Sequence, residues 1–191
     1  MQIMLYIIII LLLLYVLLIL YYWKSWVSIP GFKPQTANHK PQTKITVIIP
    51  ARNEEEHIAS CLDSICSQSY PKKMFEVLVV DDHSTDNTAV IVNRYADKNV
   101  KLISLKDFVT DELNSYKKKA IEIAIAQSTG ELIVTTDADC IVKDNWLQTI
   151  AAFYEQYDPA FIAAPVAINC SNKIIELFQA LDFMTLQGIT G

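Results

Sequence analysis

Residues 1–23 read "MQIMLYIIIILLLLYVLLILYYW", almost wholly apolar and without a charged side chain. From residue 44 onward the pattern breaks into short blocks, some apolar throughout and others with apolar positions recurring every third to fourth residue. The first stretch would span roughly 34 Å as a helix, enough for the hydrocarbon core of a bilayer. A secretory signal would start with basic residues, carry a shorter apolar stretch and end in a small-residue cleavage site, and none of these is present. A buried core helix would show some polar face. Residues 1–26 are therefore expected to form a transmembrane anchor. Residues 27–43, with "IPGFKPQTANHKPQT" at 29–43, read as a linker rich in proline and polar side chains.

The blocks after residue 44 alternate between strand and helix periodicity. "KITVIIP", "FEVLVVDD", "VKLISL", "GELIVTTD" and "AFIAAPV" are expected strands. Between and after them, "EEEHIASCLDSICSQ" has apolar residues at 58, 62 and 65, a helical spacing. "DNTAVIVNRYAD" is expected to be a helix capped by Asp86. "KKKAIEIAIAQS", "NWLQTIAAFYEQY" and "KIIELFQALDFMTLQG" complete the helices. Strands that are apolar throughout and alternate with helices imply a mainly parallel sheet covered on both faces. The expected domain runs over 44–191.

Charge sharpens this picture. No Lys or Arg precedes the apolar span, whereas Lys24, Lys33, Lys40 and Lys44 follow it, so the rest of the chain is expected on the cytoplasmic side of a cell membrane. Tyr21, Tyr22, Trp23 and Trp26 suit an interfacial belt. The net charge is −5, and no basic cluster is interleaved with aromatics, which argues against nucleic acid as a partner. The four cysteines form no CxxC pair, which makes a zinc site unexpected and suits a reducing compartment.

In parallel sheets, ligands gather at the carboxyl ends of the strands. Three of those ends are unusually polar here: "PARNEEE", "DDHSTDNT" and "DADC". Asp137 and Asp139 can face one cleft, where they would repel unless a cation sat beside them. Their oxygens suit Mg²⁺ or Mn²⁺ shared with substrate phosphates. The plainer reading, a cap for the next helix, is weakened by Asp144 and Asn145, which lie closer to that helix start. One of Asp81 and Asp82 could accept hydrogen bonds from a base or ribose, while Ser84 and Asp86 read as turn and cap residues and His83 as a turn residue. Pro50 is expected to end the first strand. Glu54, Glu55 and Glu56 suit the positive end of the following helix, and Arg52 could pair with a phosphate or carboxylate.

In order and spacing, "VIIPARNEE", "VLVVDDHSTDNT" and "KKKAIEIAIAQSTGELIVTTDADC" resemble the nucleotide-sugar-binding half of a family 2 glycosyltransferase. The resemblance implies the GT-A fold, a Rossmann-like three-layer α/β/α arrangement with a mainly parallel sheet. It implies a nucleoside diphosphate sugar donor, with UDP common among relatives, and a lipid or saccharide acceptor. Pro50, Ala51, Arg52 and Glu54 would line the base and ribose pocket, and Asp82 would contact the base. Asp137 would lie near the ribose, and Asp139 would bind the Mg or Mn that bridges the diphosphate. Lys117 and Lys118 match a segment usually written Gly-Lys, with Tyr116 where that glycine is common.

An inverting enzyme of this family also needs a carboxylate base for the acceptor hydroxyl. The resemblance implies that this base lies beyond the segment represented here, so the chain is expected to be a donor-binding fragment. The late carboxylates Glu176 and Asp182 read as the polar face of the closing helix. Three rival readings remain at this stage: a phosphorelay receiver, suggested by "VLVVDDHS"; a sugar-nucleotide pyrophosphorylase, disfavoured because "PARNEEE" has no glycine; and a non-catalytic membrane-tethered nucleotide-binding module.

Overall fold

The computed structural model describes residues 2–28, 31–32, 42–108, 116–168, 170 and 173–190. Two compact units are present, one of residues 33–158 and one of residues 1–32 with 159–191.

The first unit is built on four parallel strands: β1 (Ile45–Ala51), β2 (Phe75–Asp81), β3 (Val100–Ser104) and β4 (Leu132–Thr135). Their order across the sheet is β3-β2-β1-β4. β1 pairs with β2 from Ile45↔Phe75 to Ala51↔Asp81 and with β4 from Ile45↔Leu132 to Ile48↔Thr135. Alternate side chains of β1 and β2 enter two cores. Val47, Ile49, Val77 and Val79 pack with residues of three helices: α2 (Ile58–Cys66), α3 (Thr88–Asn93) and α5 (Trp146–Tyr157). Ile48, Leu78 and Val80 pack with Ala120, Ile123 and Ala124 of α4 (Tyr116–Gln127) on the other face. This two-sided burial explains why β1 and β2 are apolar along most of their length rather than at every second position. It also gives the expected three-layer α/β/α arrangement.

α2 forms because Ile58, Cys61, Leu62 and Ile65 make a single apolar stripe, all of it buried. α5 stops where Asp158 turns left-handed at φ 45 and its N–H bonds back to the Tyr154 carbonyl, with Pro159 following. The sequence places α4 between β3 and β4, so the chain passes from one outer edge of the sheet to the other across the face opposite α2 and α3. Strand order thus reverses at β1, and the crevice between the ends of β1 and β4 is the switch point where such sheets bind ligands.

Two expectations are corrected. Pro50 does not end the first strand, because it pairs in register with Val80 inside β1. Its neighbour Ala51 presents its carbonyl to the β2 side, so the Pro50 nitrogen faces the β4 side, where pairing has already stopped at Ile48. A residue with no N–H to donate costs little there. The expected strand "AFIAAPV" (160–166) is irregular. No ladder takes up its backbone groups, Pro165 lacks an N–H, and Phe161 is 83% exposed.

In the second unit, α1 (Gln2–Ser28) is an uninterrupted 27-residue helix, long and apolar enough to cross a membrane and unburied throughout. α6 (Ile174–Thr190) exposes Ile174, Leu177, Phe178 and Leu181, an i, i+3, i+4, i+7 stripe. Of the expected linker, residues 29–30 and 33–41 lie outside the described residues.

Candidate functional site

The parallel sheet brings the three polar strand ends to one edge, with the β1 end between the other two. Hydrogen bonds carry both neighbouring strands past their last paired residues: the Asp82 N–H donates to the Ala51 carbonyl at 2.8 Å, and the Thr136 N–H to the Ile48 carbonyl at 3.2 Å. Asp82 and the Asp137–Asp139 segment therefore flank the end of β1 rather than lying on opposite sides of the sheet.

On the β2 side, the Asp82 side chain is 12% exposed and both its oxygens are engaged. His83 Nδ1 lies 3.0 Å from Oδ1 and Arg52 Nη1 lies 3.7 Å from Oδ2. His83 has a positive φ of 57, which a non-glycine residue adopts only under local constraint. Ala51 is buried and Pro50 half-buried.

On the β4 side, Asp137 and Asp139 are exposed while Ala138 between them is buried, so both carboxylates are open to solvent. Glu54, from the β1 loop, is half-buried, and its carboxyl is pushed above the ordinary glutamate range. Burial is the main cause, and the charge of Asp139 comes next. His57 opposes the rise, while Asp137 and Asp86 add to it. Glu54 thus lies within electrostatic reach of the acidic pair across the switch point. Lys117 of α4 reaches Asp137 Oδ1 at 2.6 Å. Lys118 is exposed beside it on α4.

The acidic loop is held from below by α2. Ser64 Oγ accepts the Val142 N–H. Gln68, 3% exposed, donates through Nε2 to the Lys143 carbonyl at 2.7 Å and accepts the Leu147 N–H at 3.0 Å, capping α5. The Cys61 thiol donates to the Asp137 carbonyl at 3.7 Å. Burial foremost, with Cys140 and Asp139 nearby, pushes that thiol up to about 12 and leaves it inert. None of these supports was foreseen. A signal existed for Gln68, a polar residue on the turn that continues the apolar stripe of α2.

Among the described residues no three His, Cys, Asp or Glu side chains form a cage for a metal ion. The site offers exposed carboxylate oxygens on one side of a crevice and a buried, doubly held carboxylate on the other. That donor set suits a hard divalent cation completed by phosphate oxygens and water.

Residues 46–187 match the family described as Glycosyl transferase family 2. The chain belongs to this family. It is 38% identical over 114 residues to the poly(ribitol-phosphate) β-N-acetylglucosaminyltransferase TarS of Staphylococcus aureus, covering 60% of this chain and 19% of TarS. It is 32% identical over 159 residues to the probable glycosyltransferase YdaM of Bacillus subtilis, covering 78% of this chain and 36% of YdaM. The chain thus spans between about a fifth and just over a third of these relatives' length. Among solved structures, TarS 1-349 in complex with UDP-GlcNAc superposes with TM-score 0.54 at 32% identity, over 65% of this chain and 37% of that one. The mannosyltransferase PcManGT of Pyrobaculum calidifontis, in complex with GDP-Man and Mn²⁺, gives TM-score 0.57 at 29% identity, over 85% of this chain and 45% of that one. This family 2 chain therefore has the parallel α/β sheet of GT-A glycosyltransferases. The receiver and pyrophosphorylase readings fall with that assignment.

Proposed function

We propose that this chain is the donor-binding part of a membrane-anchored glycosyltransferase that takes a nucleoside diphosphate sugar with Mg²⁺ or Mn²⁺ and inverts the anomeric centre. The observation that carries this reading is the meeting of three polar strand ends at the switch point beside β1.

Arg52, Glu54 and Asp82, with Pro50 and Ala51 beneath them, line the base and ribose side. Asp82 suits a base because its carboxylate is already desolvated and held in orientation by Arg52 and His83. Asp137 lies on the ribose side, and Asp139 is the residue that holds the metal. When bound, the metal supplies charge neutralisation to the departing diphosphate. Lys117 and Lys118 contribute positive charge at the same rim. The acceptor, a lipid or a saccharide, meets the donor from the open side of the crevice. None of the described carboxylates is assigned as the acceptor base: Glu176 is tied to Lys173 at 3.3 Å on α6, and Asp182 lies on the same helix. α1 anchors the chain in a cell membrane, with the lysines after it keeping the α/β unit in the cytoplasm. Support for donor and metal comes from the structural neighbours that hold UDP-GlcNAc, and GDP-Man with Mn²⁺.

Calorimetric titration with UDP and GDP, with and without Mn²⁺, tests the reading. Metal-dependent binding of one nucleotide is expected, and Asp139→Ala abolishes the metal dependence while leaving the circular dichroism spectrum unchanged. Unchanged nucleotide affinity in that variant removes Asp139 as the metal ligand. Binding of neither nucleotide by the unaltered chain defeats the donor assignment.

A further inference from the structure

The loops after β1 and β2 are tied to each other by side chains that do not belong to the nucleotide-contacting set. Asn53 stands at the centre. Its N–H donates to Ser84 Oγ at 3.0 Å, and its Oδ1 accepts the Thr85 N–H at 2.8 Å and the Thr85 hydroxyl at 3.3 Å. Ser84 is in turn anchored by its N–H to the buried Asp81 carboxylate at 3.3 Å. A second tie lies one step outward. The Glu55 carboxylate accepts the Asn87 N–H and side-chain amide at 3.0 and 2.8 Å, while the Glu55 N–H donates to Asp86 Oδ2 at 3.1 Å. The Glu54 N–H donates to Thr88 Oγ1 at 2.8 Å.

Asn53 and His83 both sit in the left-handed region, at φ 56 and 57, each directly after a residue of the Arg52–Asp82 pair. Asn tolerates this conformation better than most non-glycine residues, and the Asn53 bonds hold it in place. They also fix the separation of the two loops, and with it the placement of Arg52 against Asp82.

We propose that Asn53 is a positioning residue for the nucleoside half of the donor site. It holds Arg52 and Asp82 in register across the two loops without touching the nucleotide itself. This inference rests on the nucleotide-binding reading above and assigns it a residue outside the contacting set. Asn53→Gly keeps the left-handed backbone free of strain and keeps the N–H to Ser84, but removes the acceptor for Thr85. Asn53→Asp restores an acceptor oxygen on a side chain that also tolerates this conformation.

The test uses the full chain in detergent micelles, titrated well below its unfolding temperature with UDP and GDP and, for whichever binds, with the corresponding nucleoside monophosphate. Asn53→Gly is expected to weaken diphosphate and monophosphate alike by about tenfold, because binding must then order the two loops. The enhancement of diphosphate binding by Mn²⁺ should stay unchanged. Asn53→Asp should return within about twofold of the unaltered chain on the same scale. A lowered unfolding temperature with unchanged affinities overturns the inference, as does a loss confined to the diphosphate or a failure of Asn53→Asp to rescue. Binding of no nucleotide by the unaltered chain defeats the donor reading first, and this inference with it.

Discussion

At the amino end of the sheet, away from the site, one oxygen of Glu76 accepts the Thr46 hydroxyl at 2.8 Å, the Thr129 N–H at 2.7 Å and the Thr129 hydroxyl at 2.6 Å. Burial alone would raise the carboxyl, but the Thr129 and Thr46 bonds, with Lys44 nearby, hold it below the ordinary value of 4.5. The folded state therefore binds this proton less readily than the unfolded chain. Stability from Glu76 is fully present above that ordinary value and is lost as pH falls through the lowered one. Denaturant unfolding between about pH 6 and about pH 3 should show a fall in stability that is shallower in Glu76→Gln; equal slopes would remove Glu76 as a contributor. Beside it, Gly130 has no room for a side chain, since a Cβ would lie 2.4 Å from the Thr46 nitrogen. Little of this was legible. A glutamate inside "FEVLVV" looks like a solvated strand residue, and a glycine before a strand looks like a turn. Asp82, Asp137 and Asp139 were legible because carboxylates at the ends of apolar strands violate the pattern around them.

At the scale of elements, α2 and the turn that follows it carry the acidic loop through Ser64 and Gln68. Truncating Gln68 to Ala leaves the N–H of the buried Leu147 without its partner, while the Lys143 carbonyl keeps the Trp146 N–H, a cost of about 1–3 kcal/mol. A denaturant midpoint shifted by that amount, with an unchanged slope, is expected; a shift within experimental error would mean that α5 is capped by other groups. Periodicity located α2, α4 and α5 because each has an apolar stripe that the sheet covers. It failed at 160–166, where an apolar run looks like a strand but strand identity depends on a neighbour that local sequence does not reveal. The helix expected over 86–97 is shorter than its pattern. α3 spans only Thr88–Asn93, and a tight turn at Ala96–Lys98 follows. Asp86 does bond the Thr88 N–H at 3.0 Å, as a capping residue should.

For the whole molecule, alternation of strands and helices made the parallel sheet legible, and parallelism alone put the polar strand ends on one edge. The order β3-β2-β1-β4 was not legible, because nothing in β4 itself says that it docks beside β1 rather than beyond β3. The proposed anchor has a test at this scale. The full chain should stay in the membrane pellet after alkaline carbonate washing and be released by detergent; release by carbonate alone would mean that α1 does not span the bilayer.

β4 is four residues long and, among the described residues, lies at the rim of the sheet and is paired on one side only, to β1. If it peeled away, β1, β2 and β3 could remain zipped together, yet Asp137 and Asp139 would leave with it. A molecule that grips both halves of the crevice can bind only while this last strand is docked. By mass action it then holds the strand in place, so occupancy doubles as a latch on the most easily detached part of the sheet.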